Sequence, residues 1–349
     1  MSNKEVAAIT LYEISKCGLF KFNDSSSPVL GNTEVFLDQL LKWAKNPKRN
    51  LIDTCTYEIE DDELGERTFC YDIIKHPQTR NFLVVTWNET SSLEGKLASI
   101  TGNVPVGQAK IKTKGKGKDE IIGYPSYFYI MPAENILATV TFGKTSNGTR
   151  NLKCYFKEFI SKYTTYACYE KNTDTQTNEL KGYKENKRST DQPINLRAIF
   201  NFNIVRSSHQ IDKLIANFKK INSVVKHNKL SVTETLKLGW PSKLSASIFD
   251  KQKPKVDGNV KFTFEYPYTP ASAKELKNII DDWEANYTGS MWDNIGFKLK
   301  GDSNTIWLNE MNARNKFDLY LDRDKQNVID PVALFSELER ISQNILSLK

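Results

Sequence analysis

The side chains of this sequence whose types and spacing could do chemistry are cations. Lys110, Lys112, Lys114, Lys116 and Lys118 alternate with Ile111, Thr113, Gly115 and Gly117, and the run opens directly into the aromatic segment GYPSYFYI. On an extended backbone these lysines fall on one side, ~6.5 to 7 Å apart, on the scale of the ~6 to 7 Å between phosphates along one nucleic-acid strand. The glycines would let the segment follow a groove. A solvated hairpin tip would carry the same lysines for solubility, and both readings stand at this level. More cations lie in the helix expected from Leu152, where Lys153, Lys157 and Lys162 fall opposite Leu152, Tyr155, Phe156, Phe159 and Ile160. Gly148, Thr149 and Arg150, just before that helix, could offer backbone N–H groups and a charge to a phosphate. Lys187, Arg188, Arg197, Arg206, Lys219 and Lys220 make a third group. With no recognition helix or zinc module in view, contacts would go mainly to the phosphate backbone of double-stranded DNA, with weak sequence preference.

Other chemistries have thinner support. Gly143-Lys144-Thr145 follows a strand-like run, but a phosphate loop needs a glycine where Ala138 stands. Asp72 with Glu94 and Lys96 supplies the letters of a metal-dependent nuclease, but Glu94-Gly95-Lys96 reads as a turn rather than the strand that would aim it. Of the second cluster, Asp318, Asp322 and Asp324, the first two share a strand face with Tyr320 and read more simply as solvent-facing alternation. There is no Gly-x-Ser-x-Gly elbow. The five cysteines, Cys17, Cys55, Cys70, Cys154 and Cys168, lie far apart with only three histidines, which favours buried thiols over disulfides or zinc. No catalytic residue, metal ligand or cofactor is therefore assigned.

The elements that must position these cations follow from patterning. A net charge of +7 is modest for 349 residues, but it is sorted along the chain, with acids gathered in EIEDDELGE from Glu58 to Glu66. No apolar run approaches the ~20 residues of a membrane span, and the first residues lack a signal-peptide core, so a cytoplasmic protein is expected. AAITLYEI reads as an edge or first strand. A helix capped by Thr33 should bury Phe36, Leu37, Leu40, Leu41 and Ala44. TFCYDIIK and NFLVVTWNE form a hairpin across HPQTR, LEGKLASI reads as a short helix, and YPSYFYI and ILATVTFG are strands. The polar stretch from Glu170 to Gln192 reads as a linker. After it come the strand INLRAIFNFNIV, a helix from Ile211 to Val225, strands at NVKFTFEY, IGFKLK, NTIWLNE and KFDLYLD, and a helix beginning at Pro270. A terminal helix capped by Asp330 carries the stripe Leu334, Leu338, Ile341, Ile345 and Leu348, for its own domain or a second copy. The expected fold is α+β in two domains, 1–190 and 191–349, each an antiparallel sheet with helices on one side.

At GYPSYFYIMPAENILATVTFG the chain resembles the RexA proteins of lambdoid phage exclusion systems. The shared features are Gly123-Tyr124-Pro125-Ser126-Tyr127, the turn Ala133-Glu134-Asn135, and a strand ending in Phe142-Gly143, with a Lys/Gly-containing segment upstream. The resemblance covers residues 33 to 160. It implies a homodimeric DNA-binding protein of anti-phage defence, of the abortive-infection type, paired with a membrane-embedded effector encoded nearby, and it supplies no catalytic residue. A nuclease-like effector and a scaffold recognising an acidic phage protein remain the alternatives.

Overall fold

A computed structural model describes residues 3–58, 66–90, 98–112, 119–143, 147–172, 176–185, 192–206, 208–230, 260–286, 294–302, 304–311, 313–321 and 329–349. In chain order the elements are β1 (Asn3–Phe20), α1 (Thr33–Ala44), β2 (Thr68–Lys75), β3 (Phe82–Glu89), β4 (Ala98–Thr101), β5 (Ile111–Lys112), β6 (Glu120–Met131), β7 (Ile136–Phe142), α2 (Thr149–Lys162), β8 (Ala167–Lys171), β9 (Asn178–Tyr183) and β10 (Arg197–Ile204). They continue with α3 (Ser208–Ala216), β11 (Ile221–Leu230), β12 (Val260–Pro267), α4 (Ala273–Asn286), β13 (Asn294–Leu299), β14 (Thr305–Trp307), β15 (Arg314–Leu321), α5 (Pro331–Arg340) and α6 (Ser342–Leu346). Helices and strands are mixed, and the strand pairings of the described residues are antiparallel.

Contacts group Met1–Val205 with Ala313–Lys349 and set Arg206–Asn312 apart. In the first unit β1 is central rather than an edge. Its residues Ala7 to Glu13 pair β7, while the other side pairs β15 along Asn3 to Thr10 and β10 along Tyr12 to Phe20. Strands β10 and β15 thus lie end to end on one edge of β1. At the junction the Val205 amide donates to Leu11 O at 2.9 Å, the Leu11 amide to Ala313 O at 2.9 Å, and the Ala313 amide to Val205 O at 2.7 Å. The chain leaves and re-enters this sheet at hydrogen-bonded neighbours. Strand β7, before residue 190, and strands β10 and β15, after it, all pair with β1.

The sheet order is β10-β1-β7-β6-β3-β2, with β4 pairing β6 and β5 pairing β4. It is buried on both faces, so in this unit the helices are not confined to one side. One face packs Phe82, Val84, Phe128 and Leu137 under α1 and α2, which contribute Phe36, Leu37, Leu40, Phe156 and Phe159. The other packs Leu83, Val85, Tyr129 and Ala138 under Leu334, Phe335 and Leu338 of α5 and under Ile100 and Ile111. Burial on both faces is why TFCYDIIK and NFLVVTWNE read as nearly continuous apolar runs. The terminal stripe is spent on this sheet, and Asp330 and Pro331 cap α5 as expected, the Asp330 carboxylate accepting from the Ala333 amide at 2.9 Å.

Several expectations shift. Asn32, not Thr33, caps α1, its Oδ1 accepting from the Val35 amide at 3.0 Å. The end of LEGKLASI is strand β4, residues 91–97 lying outside the described set. Part of the supposed linker forms the hairpin β8–β9. Most residues of that stretch are polar, so no sustained apolar alternation announces the strands.

In the second unit the sheet order is β12-β11-β13-β14. Leu214 of α3 and Leu276, Ile280 and Trp283 of α4 pack on Val224, Ile295 and Phe297. The helix expected through Val225 stops at Ala216, and Ile221 and Val225 belong to β11, whose run of β-branched residues suits a pleated strand. Helix α4 begins at Ala273, where the Ser272 hydroxyl accepts from the Glu275 amide at 3.1 Å. Among the described residues no helix is long and apolar enough to cross a membrane.

Candidate nucleic-acid interface

Helix α2 supplies the best-defined cationic surface. Its core side carries Leu152, Tyr155, Phe156, Phe159 and Ile160, with Phe156 against Phe200 at 4.8 Å between ring centroids. At 100° per residue, Arg150, Lys153 and Lys157 fall within about 60° of one another, beside that core side, and span ~10.5 Å of helix axis. All three are exposed. Lys157 lies 3.6 Å from Glu158, a loose pair with the lysine 54% exposed, whereas Lys162 turns aside to Glu158 at 3.0 Å. The carboxylate raises the Lys162 ammonium pKa against the opposing effect of its burial.

The start of α2 is fixed by a close approach. Gly148 has φ +65°, and a Cβ there would overlap Ser126 Oγ. Ser126 in turn accepts from Asn88 Nδ2 at 2.9 Å. The Thr149 amide is satisfied by Asn147 Oδ1 at 3.3 Å, and the next residue, Arg150, is exposed. The motif Gly123-Tyr124-Pro125-Ser126-Tyr127 acquires a structural explanation here. Gly123 is flanked by β3 and β4, where a Cβ would overlap Asn88 O. Pro125 lies between Gly123, where β4 pairing ends, and Tyr127, where β7 pairing starts, a gap in which a strand tolerates proline.

The other expected cations that the structure describes, Lys162 aside, lie outside α2. Lys110 and Lys112 are exposed at β5, but Lys112 is tied to Glu120 at 2.6 Å. Lys114, Lys116 and Lys118 lie outside the described residues, as do Lys187 and Arg188. Arg197 is exposed on β10, yet its neighbours Ala198, Phe200, Phe202 and Ile204 face the α2 side, so strand alternation sends Arg197 to the opposite face. In the second unit Lys219 and Lys220 are exposed, while the Arg206 guanidinium is buried 5.0 Å from the Trp283 ring centroid.

The carboxylates considered for metal chemistry have structural partners. Asp72, 6% exposed in the bulge of β2, pairs Lys45 at 2.9 Å and accepts from the Ile73 amide at 2.8 Å. Asp318 pairs Lys4 at 2.9 Å. Glu94, Lys96, Asp322 and Asp324 lie outside the described residues, and no metal-ligating cluster occurs among the described ones. Burial pushes the Cys17 thiol up to about 12, which suits an inert core residue.

One group of cations was visible in the sequence and overlooked. KWAKNPKR, Lys42 to Arg49, holds four cations in eight residues at the end of α1. Lys42 and Lys48 are exposed, and Arg49 lies 4.2 Å over Trp43 while donating to the carbonyls of Trp43 and Asp53. Comparison of this chain with family models, curated proteins and solved structures finds no match.

Proposed function

We propose that this chain binds double-stranded DNA through backbone phosphates, as a component of an anti-phage exclusion system of the RexA kind. The observation that carries the reading is the exposed Arg150, Lys153 and Lys157 stripe on a helix seated rigidly on the sheet. A helix-borne row of cations meets phosphates without ordering a loop, and side chains of this type recognise charge rather than sequence. The RexA reading adds a homodimer and a nearby membrane-embedded effector as partners. Because Leu334, Phe335 and Leu338 of α5 are buried against the sheet, the homodimer of this reading uses another surface.

The test is binding to a duplex of about 20 base pairs of arbitrary sequence in ~0.1 M salt. Three lost phosphate contacts, each entering as salt to the power ~0.9, weaken affinity on the order of 10²-fold in Arg150→Gln/Lys153→Gln/Lys157→Gln. A loss below about threefold overturns the placement.

A further inference from the structure

The end of α2 and the end of α1 meet in a second surface of different character. Trp43 packs its ring 5.3 Å from Phe159 and 4.9 Å from Tyr163, centroid to centroid. Arg49 covers Trp43, so the indole is a support rather than an open platform. The open rings are Tyr163, 38% exposed, and Tyr169, 46% exposed, the latter held by its hydroxyl donating to Lys162 O at 2.6 Å. Leu180, 38% exposed, pairs across the hairpin from Tyr169 and extends the apolar area. Isolated exposed tyrosines need no explanation, but three large apolar side chains clustered on one surface do.

The charges around these rings are mainly positive. Lys42 shares a side of α1 with Gln39, three residues before it, and Gln39 reaches the Thr165 amide at 2.7 Å beside Tyr163. Lys42 has no carboxylate partner among the described residues, and Arg49 bonds carbonyl oxygens. Lys162 is shared with Glu158 and lies near Glu58. Glu170 follows Tyr169 in β8 and so points to the other face of the hairpin.

We propose that Tyr163 and Tyr169, flanked by Lys42, Arg49 and Lys162, bind an unpaired DNA strand, its bases stacking on the tyrosine rings and its phosphates meeting the cations. Rings interleaved with cations are what single strands require, because every base has a π-face whereas a duplex hides its faces in the stack. The inference rests on the DNA-binding reading and assigns a distinct ligand form to a distinct surface, so that duplexes with frayed ends or gaps engage both.

The experiment measures anisotropy of a labelled oligo-dT of about 15 nucleotides, and separately of a blunt duplex, with the full-length protein. Wild type is expected to bind both. Tyr163→Ala/Tyr169→Ala should lose at least about tenfold for oligo-dT and stay within about twofold for the duplex, and Tyr163→Phe/Tyr169→Phe should keep oligo-dT binding because the rings remain. Circular dichroism confirms that the variants fold. Wild type binding the duplex but not oligo-dT, or the alanine variant binding oligo-dT normally, overturns this inference alone. Oligo-dT binding that depends on the tyrosines, without duplex binding, supports it and overturns the duplex reading instead.

Discussion

Replacing Glu339 tests how firmly the terminal helix is seated. Its carboxylate accepts from the Tyr129 hydroxyl at 2.9 Å, from Asn81 Nδ2 at 3.0 Å and from the Thr79 hydroxyl at 2.9 Å. Tyr129 is 0% and Asn81 8% exposed, and burial, with Glu339 beside it, holds the Tyr129 hydroxyl well above the usual phenol pKa. In Glu339→Ala the Tyr129 hydroxyl still accepts from Asn81, at 2.9 Å, but its own proton and one Asn81 N–H lose their acceptor. Two buried donors left unsatisfied cost about 1 to 3 kcal/mol each, so a loss of about 3 to 4 kcal/mol is expected. Glu339→Gln keeps one acceptor oxygen and should lose about 1 to 2 kcal/mol. Removing the hydroxyl as well, in Glu339→Ala/Tyr129→Phe, eliminates one orphaned donor, so the double variant should fall short of the summed singles by about 1 kcal/mol or more. Urea unfolding reads this as a shift in midpoint at unchanged slope. A Glu339→Ala variant within about 0.5 kcal/mol of wild type would refute the reasoning and return the helix to the role of a detachable dimer element.

Three further outcomes follow from the fold. Gly148→Ala forces a side chain into a left-handed φ of +65° against Ser126 and should cost about 1 to 2 kcal/mol and weaken duplex binding by displacing Arg150; unchanged thermal stability would contradict this. Arg67 donates to Glu89 through two nitrogens at 2.7 and 2.8 Å and holds the carboxyl below its usual value of 4.5. That stability is present above the usual value and lost as pH falls through the lower folded one. Glu89→Gln should therefore cost about 1 kcal/mol or less at neutral pH, the pair being partly exposed, and almost nothing near pH 3; a cost that grows in acid would sink the assignment. Finally, because Val205 and Ala313 are hydrogen-bonded neighbours beside β1, replacing Arg206–Asn312 by a short Gly/Ser linker should leave a unit that unfolds cooperatively on heating, and loss of that transition would show that the junction does not stand alone.

How much of this was legible depended on whether a signal was local. Helix α2 and its cationic side followed from the spacing of Leu152, Tyr155, Phe156 and Phe159, and the cap of α5 from Asp330-Pro331, because period and caps are written in consecutive residues. The partner of KFDLYLD was not legible. Its alternation announces a strand, but pairing with Asn3 to Thr10 is set by the closing of β10 and β15 along one edge, a contact across most of the chain. The same holds for Arg197, whose charge suggested a shared surface until strand alternation put it on the other face. Gly123 read as part of a motif, and only the flanking strands give it a physical reason. KWAKNPKR was legible and missed because an apolar helix pattern ran through it.

The most direct measurement is the slope of log affinity against log salt for the duplex, wild type beside Arg150→Gln/Lys153→Gln/Lys157→Gln. Three phosphates neutralised by the α2 stripe predict a wild-type slope steeper by about 2.7, at about 0.9 for each contact. Parallel lines for the two proteins, or a wild-type affinity indifferent to salt, would contradict the account.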